Sequence, residues 1–199
     1  MRRALIVVDF QKDFVDGSLG FAQAPLLENA ICTKIDKYHQ QGQTVVFTFD
    51  THGGDYLHTQ EGRKLPKIHC LKGSEGWRLY GRVESLCRPD DICIEKPGFG
   101  SMELAEYLRR TGFDQIELVG LVSSICVISN AVLAKAALPE AEIIVDASCT
   151  AGADSALHEK ALDVMEGLQI TVVNRSQTES PAPPAAYESS ASGSALIER

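Results

Sequence analysis

The sequence predicts an α/β protein built on a parallel sheet with helices on both faces. Three observations carry that expectation. Short apolar runs recur along the chain without strict alternation, as strands buried on both faces require. Segments with apolar residues at helical spacing separate them, so strand and helix alternate as in βαβ units. The chain has 199 residues, 44% of them hydrophobic, which supplies one substantial core and one domain.

The first strand is "ALIVVDF" (4–10). A helix follows over "LLENAICTKIDKYHQQG" (26–42), with Gly42 as its stop. "TVVFTFD" (44–50) is the second strand. From Thr51 to about Gly76 the chain is polar and rich in Gly, His and Lys. That is far longer than an ordinary connection, and long loops in compact domains are usually functional. "DICIEK" (91–96) is a weaker strand candidate. "SMELAEYLRRTG" (101–112) is a helix that opens on Ser101, carries Glu103 in its first turn and closes at Gly112. "IELVGLV" (116–122) is a strand, and "ICVISNAVLAKAAL" (125–138) a helix that stops before Pro139. "EIIVDAS" (142–148) is a strand, "DSALHEKALDVMEG" (154–167) a helix capped by Asp154, and "QITVVN" (169–174) a second weak strand. The domain covers 1–175. Beyond it, "SQTESPAPPAAYESSASGSALIER" (176–199) is rich in Ser, Ala and Pro and reads as a disordered tail.

Charge and composition exclude several classes. A formal net charge of -8 suggests neither a nucleic-acid nor an anionic-membrane surface. The start, "MRRALIVVDF", imitates a signal peptide, but its apolar run ends at Asp9 with no cleavage site behind it. No apolar run approaches the length of a membrane span. A cytoplasmic location is expected, with a small molecule and at most further copies of the chain as partners. The six cysteines (Cys32, Cys70, Cys87, Cys93, Cys126, Cys149) are scattered without a C-x-x-C, which favours reduced thiols.

Three residues at strand ends carry chemistry. In "ELVGLVSSICVISNAVLAKA" (117–136), Cys126 sits where a strand hands over to a helix. A lone cysteine is most simply core packing. However, ligands of parallel α/β proteins bind beyond the carboxyl ends of strands, and a helix start offers positive partial charge and unpaired N–H groups. A thiol there is expected to have a lowered pKa and to react fastest with alkylating reagents. Asp9 ends the first strand and Lys96 ends "ICIEK". Alone, the first reads as a turn former and the second as an exposed lysine. Acid, ammonium and thiol on one rim of one sheet form a nucleophile set.

The long connection holds a second constellation. Asp50, His52, His58 and His69 fall within "FDTHGGDYLHTQEGRKLPKIHC". Asp50 and His52 alternate, so on an extended backbone their side chains point the same way. Imidazoles with one carboxylate suit zinc or iron, with manganese a third candidate, although histidines also gather in polar loops by chance. No G-x-G-x-x-G follows the first strand, which argues against a nucleotide module. A non-catalytic, flavodoxin-like binding module is the reading from another class.

On "ALIVVDFQKDF", "FDTH" with the later "HC", "IEKPGFGS" and "GLVSSICVISNA", the chain resembles the isochorismatase-like cysteine hydrolases from Ala4 to about Val173. Within that family it is most similar to nicotinamidases and related amidases. The resemblance implies a six-stranded parallel sheet in a three-layer α/β/α fold, with Asp9, Lys96 and Cys126 as the catalytic triad. It implies one divalent transition metal ion on Asp50, His52 and His69, with His58 as a further ligand. A cis bond between Leu121 and Val122 and an oxyanion hole from the N–H groups of Val122 and Cys126 are also implied. Phe14, Leu65, Phe99 and Ile125 would line the substrate pocket. The implied activity is hydrolysis of a small amide, with nicotinamide first and an N-carbamoyl compound or ureide as the alternative. Two departures bear on the substrate. Ser123 and Ser124 stand where many relatives have Thr-Asp, and Leu65 stands where several nicotinamidases have tryptophan.

Overall fold

A computed structural model describes residues 1–175; the segment 176–199, expected to be a tail, lies outside the described residues. Six strands form one sheet: β1 (Arg3–Val8), β2 (Thr44–Asp50), β3 (Ile92–Lys96), β4 (Gln115–Leu121), β5 (Glu142–Ala151) and β6 (Thr171–Val173). Every neighbouring pair is parallel, in the order β3-β2-β1-β4-β5-β6. The chain grows outward from β1 in one direction, then returns to β4 and grows outward in the other. The crevice beyond the carboxyl ends of β1 and β4 is therefore a topological switch point, where parallel sheets bind their ligands.

Alternation along β1 explains why its run is apolar without a break. Ala4, Ile6 and Val8 face one core, completed by α5 (Met102–Thr111), α6 (Ile128–Ala137) and α7 (Ser155–Gly167) through Leu104, Leu108, Ala131, Leu162 and Met165. Leu5 and Val7 face the other core, completed by α1 (Lys12–Val15), α2 (Glu28–Gln40) and α4 (Gly81–Leu86) through Phe14, Ile31, Ile35 and Val83. Side chains alternate with period two, so a central strand needs apolar residues on both faces.

The caps act as the sequence predicts. Ser101 Oγ accepts from the Leu104 N–H at 3.1 Å, and Asp154 Oδ1 accepts from Ala156 and Leu157. On the α2 side, Lys34 Nζ lies 2.6 Å from Glu117 and 2.7 Å from Asp146, while the Tyr38 hydroxyl donates to Glu117. Burial opposes the Lys34 charge, but Asp146 and Glu117 hold its pKa above the ordinary value of 10.5. This cluster fastens α2 across β4 and β5.

Several boundaries differ from expectation. β5 runs three residues further, to Ala151, past a register shift opposite Leu118 and Gly120. The short α3 (Gln60–Lys64) and α4 lie in stretches without a sequence assignment as helix. Five or six residues are too few to display a helical period. The helix expected from Ile125 opens instead as a π-turn over Ser123–Val127, where the Val127 N–H reaches Val122 O at 3.1 Å. Among the described residues no helix is long and apolar enough to cross a membrane.

Gly120 tests the tightness of the central strand pair. Its φ is +108°, and a Cβ there would lie 2.0 Å from the Val8 carbonyl oxygen. Gly120→Ala should therefore cost roughly 3 kcal/mol or more in urea unfolding, from strain and from parting β1 and β4. A midpoint near wild type would show that this contact is not a rigid feature of the fold.

Candidate active site

Four adjacent strands deliver their last residues to one rim. Asp50 and Lys96 end β2 and β3 and are direct register partners. Asp9 follows β1 with φ +45°, a left-handed conformation that aspartate tolerates better than most residues. Cys126 sits in the π-turn after β4, a type of irregularity frequent at functional sites.

The side chains meet in a dry cluster. Lys96 Nζ lies 2.6 Å from Asp9 Oδ2 and 3.5 Å from Asp50 Oδ1, and it donates to Gly98 O at 2.9 Å. Thr48 Oγ1 donates to Asp9 Oδ1 at 2.6 Å, and the Asp9 carboxylate lies close enough to the Cys126 thiol to bear on its protonation. Burial pushes the Asp9 carboxyl above its ordinary 3.8; Lys96 opposes this, Asp50 adds to it, and Thr48 opposes it. Burial also works against the Lys96 charge, but Asp9, Cys126 and Asp50 together hold its pKa above 10.5. For Cys126 the structure reverses an expectation. Burial first, and then the Asp9 carboxylate, push its thiol well above 9.0 despite Lys96. The thiol is therefore neutral at rest, with the Asp9 carboxylate beside it.

Beside this cluster, Asp50, His52 and His69 bring one ligand atom each to within 4.8 Å of the others. His52 Nε2 and His69 Nε2 lie 3.0 and 3.3 Å from the same Asp50 oxygen. His69 Nδ1 donates to Lys67 O at 2.8 Å, which fixes the tautomer and leaves Nε2 as the lone-pair donor. The donor set fits a divalent metal ion. His58 does not join it. It is exposed at the end of a 3₁₀ turn (Tyr56–His58), and the chain turns into α3 directly behind it. Glu61, in the first turn of α3, approaches instead, with Oε1 3.8 Å from both His52 Nε2 and His69 Nε2. The resemblance implied the histidine, and the short helix that brings Glu61 near was not legible in the sequence.

The turn around the nucleophile is held from several sides. The Leu121–Val122 peptide is cis. The Cys126 N–H, expected to be a free oxyanion donor, donates to Val122 O at 2.9 Å. It is shared within the turn, so an oxyanion has to compete for it. Asn130, fully buried on α6, donates to Cys126 O and Phe99 O and accepts from the Ser101 N–H. Ser123 Oγ and His158 Nδ1 pair at 2.8 Å, tying the turn to α7. Gln11, also fully buried, donates to Asp50 O and Trp77 O and accepts from the Asp50 N–H. Thr48, Gln11 and Asn130 went unread in the sequence, and Ser123 was noted there only as a departure from relatives. Thr48 and Asn130 are polar residues inside an apolar or helical run, and that was the available signal.

A cavity of about 300 Å³ opens over Cys126 and the metal-site residues. Phe14, Leu65, Phe99 and Ile125 line it, as do Leu19, Phe21 and Leu157, which sequence reasoning did not name. Phe14 packs edge-on to His69 at 5.6 Å between ring centroids.

Comparison with known proteins agrees with this geometry. The isochorismatase domain model matches residues 3–177. An uncharacterised isochorismatase family protein, PncA, of Bacillus subtilis is 33% identical over 144 residues, which are 66% of this chain and 78% of that protein. The crystal structure of nicotinamidase/pyrazinamidase PncA from Bacillus subtilis superposes with a TM-score of 0.79 at 28% identity, covering 86% of this chain and 99% of that one. The pyrazinamidase of Pyrococcus horikoshii in complex with zinc gives a TM-score of 0.77 at 25% identity, covering 87% and 99%. With the sheet order, the rim of strand ends and these likenesses in agreement, the chain belongs to the isochorismatase family of hydrolases.

Proposed function

We propose that the protein is a metal-dependent cysteine amidohydrolase that converts nicotinamide and water to nicotinate and ammonia, serving NAD salvage in the cytoplasm. The observation that carries this reading is the cavity wall. It is small and largely aromatic and aliphatic, it runs from the thiol to the His69 imidazole, and among the described residues no lysine or arginine lines it. About 300 Å³ is the lower end of the range for small-molecule pockets and suits a single ring. The acidic residues Asp50, Glu61 and Asp154 are among those lining it, which disfavours a substrate that carries its own carboxylate, as N-carbamoyl amino acids do. The alternative of a neutral N-carbamoyl compound or ureide remains the rival within the same chemistry. A flavodoxin-like binding module would have no use for a thiol, a carboxylate and an ammonium buried in mutual contact.

The mechanism follows from the buried protons. Asp9, raised by burial and so a stronger base, takes the proton of Cys126 as sulfur attacks the amide carbon. Lys96 keeps its charge throughout and offsets the negative charge that moves between carboxylate and sulfur. The oxyanion takes the Val122 N–H and competes with Val122 O for the Cys126 N–H, each such donor being worth roughly 3 kcal/mol. Asp9 then protonates the leaving nitrogen and ammonia departs. Water deprotonated by Asp9 hydrolyses the thioester and restores the thiol. Asp50, His52 and His69 would hold a divalent ion, zinc or iron, which when bound supplies a Lewis acid to anchor the pyridine nitrogen directly or through water.

Three measurements test this reading. Ammonia release across nicotinamide, pyrazinamide and N-carbamoyl amino acids should give kcat/KM for nicotinamide at least about a hundredfold above the anionic substrates. The reverse order would overturn the assignment. The acid limb of kcat/KM should report Asp9, which must be ionised to accept the thiol proton, so activity falls as pH drops through its raised pKa. Thr48→Val removes a hydrogen bond that favours the ionised form, so the limb should move to higher pH with roughly tenfold lower activity at its acid end. An unmoved limb would exclude Asp9 as the base it reports. Metal analysis should find His58→Ala as loaded as wild type and His69→Ala depleted at least about tenfold. Equal depletion in both would return His58 to the ligand set.

A further inference from the structure

A second pair of sulfurs lies away from the cavity. Cys87 caps the end of α4, and Cys93 is the second residue of β3, the edge strand of the sheet. Their Sγ atoms are 3.6 Å apart. The intervening turn is held in place. Asp91 accepts from the Arg88 N–H at 2.8 Å, returns its own N–H to Arg88 O at 3.1 Å, and is anchored by His39 at 2.9 Å. The sulfurs are thus fixed in contact by a braced loop. Cys93 is exposed and Cys87 half-buried, whereas Cys32, Cys70, Cys126 and Cys149 are buried. Both open into a surface groove of about 350 Å³, lined also by Phe49, Trp77 and Arg78.

We propose that Cys87 and Cys93 form a redox-active dithiol that exchanges with low-molecular-weight disulfides of the glutathione class and closes to an intramolecular disulfide ahead of any reaction at Cys126. Closing the gap to the ~2.0 Å of a disulfide takes roughly 1.6 Å, within reach of side-chain rotation. Cys93 is the attacking sulfur. It is the exposed one, and the hydrogen bond from the Cys87 thiol pulls it down to about 7, against burial and Asp91. The Cys93 thiolate, its proton given to water, attacks one sulfur of the small disulfide and expels the first small thiolate. Cys87 then loses its proton and attacks Cys93 Sγ, expelling the second. Two protein thiols are oxidised and one small disulfide is reduced to two thiols. Ile94 and Lys96 are buried while Cys93 and Glu95 are exposed, so the bridge forms on the face of β3 opposite the catalytic lysine.

The test is to incubate the full protein with glutathione disulfide, quench by alkylation, and digest with trypsin. Arg88 is followed by Pro89 and Lys96 by Pro97, bonds that trypsin leaves intact, so both cysteines stay in the peptide 83–109. That peptide should lose about 2 Da at least tenfold faster than Cys126 is modified, with turnover kept within about twofold, and dithiothreitol should reverse the change. Cys93→Ser should abolish the reaction, and Cys87→Ser should halt it as a glutathione adduct on Cys93. A lasting adduct in wild type, or Cys126 consumed as fast as the pair, would overturn the proposal.

Discussion

The Lys96 ammonium lies between two carboxylates, 2.6 Å from Asp9 and 3.5 Å from Asp50, and neither it nor Asp9 exposes any side chain. Leaving a charge unpaired in such a place costs several kcal/mol, whereas paired charges hold their positions against that penalty. The arrangement therefore fixes more than one bond. Asp9 cannot leave without stranding the buried Lys96 charge with only the more distant Asp50, and Asp50 cannot rotate without weakening both the ammonium contact and the imidazole pair. One cation thus joins the carboxylate beside the Cys126 thiol to the group suited to hold a metal. A change on either side is felt on the other as a change in electrostatic potential.

That interaction depends in turn on sheet register. Asp50 and Lys96 are partners in the β2–β3 ladder, and Val8 pairs with both Thr48 and Gly120 across the neighbouring strands. A slip of one residue would turn Lys96 to the opposite face, since side chains alternate. Gln11 and Asp13 extend the same discipline into the long connection. Gln11 grips the Asp50 backbone from both sides, and Asp13 accepts from the Cys70 N–H at 2.7 Å, where the chain bends through a positive φ beside His69. The stretch after β1 thus sets where the histidines stand, and the loop is polar because its hydrogen bonds are spent on positioning.

What could be read from the sequence divides along physical lines. Continuous apolar runs announced the strands because burial on both faces leaves no other composition, and the residues terminating them announced the rim. Asp9, Lys96 and Cys126 were legible because strand ends in a parallel sheet converge. His58 and Glu61 were not separable, since their positions depend on a helix of five residues whose period cannot register in the sequence. The hydrogen bond made by the Cys126 amide was not legible for a similar reason. A π-turn and an ordinary helix start look alike in sequence, but the turn directs that N–H to Val122 O. Supporting residues such as Asn130 and Thr48 are single polar positions in apolar surroundings, and only three-dimensional proximity says what they support.

Burial also explains how one chain can carry thiols of opposite character. The helix-start argument expected an ionised Cys126, but removing the thiol from water outweighs the help of Lys96 and keeps it neutral. A neutral thiol reacts slowly with oxidants and alkylating agents, because the thiolate is the reactive form. Cys93 has the converse setting, exposed on an edge strand with a thiol donor against it. The same physical variable, access to water, thus holds the Cys126 thiol in its less reactive form. At the sheet edge it leaves a sulfur open to whatever the solvent brings.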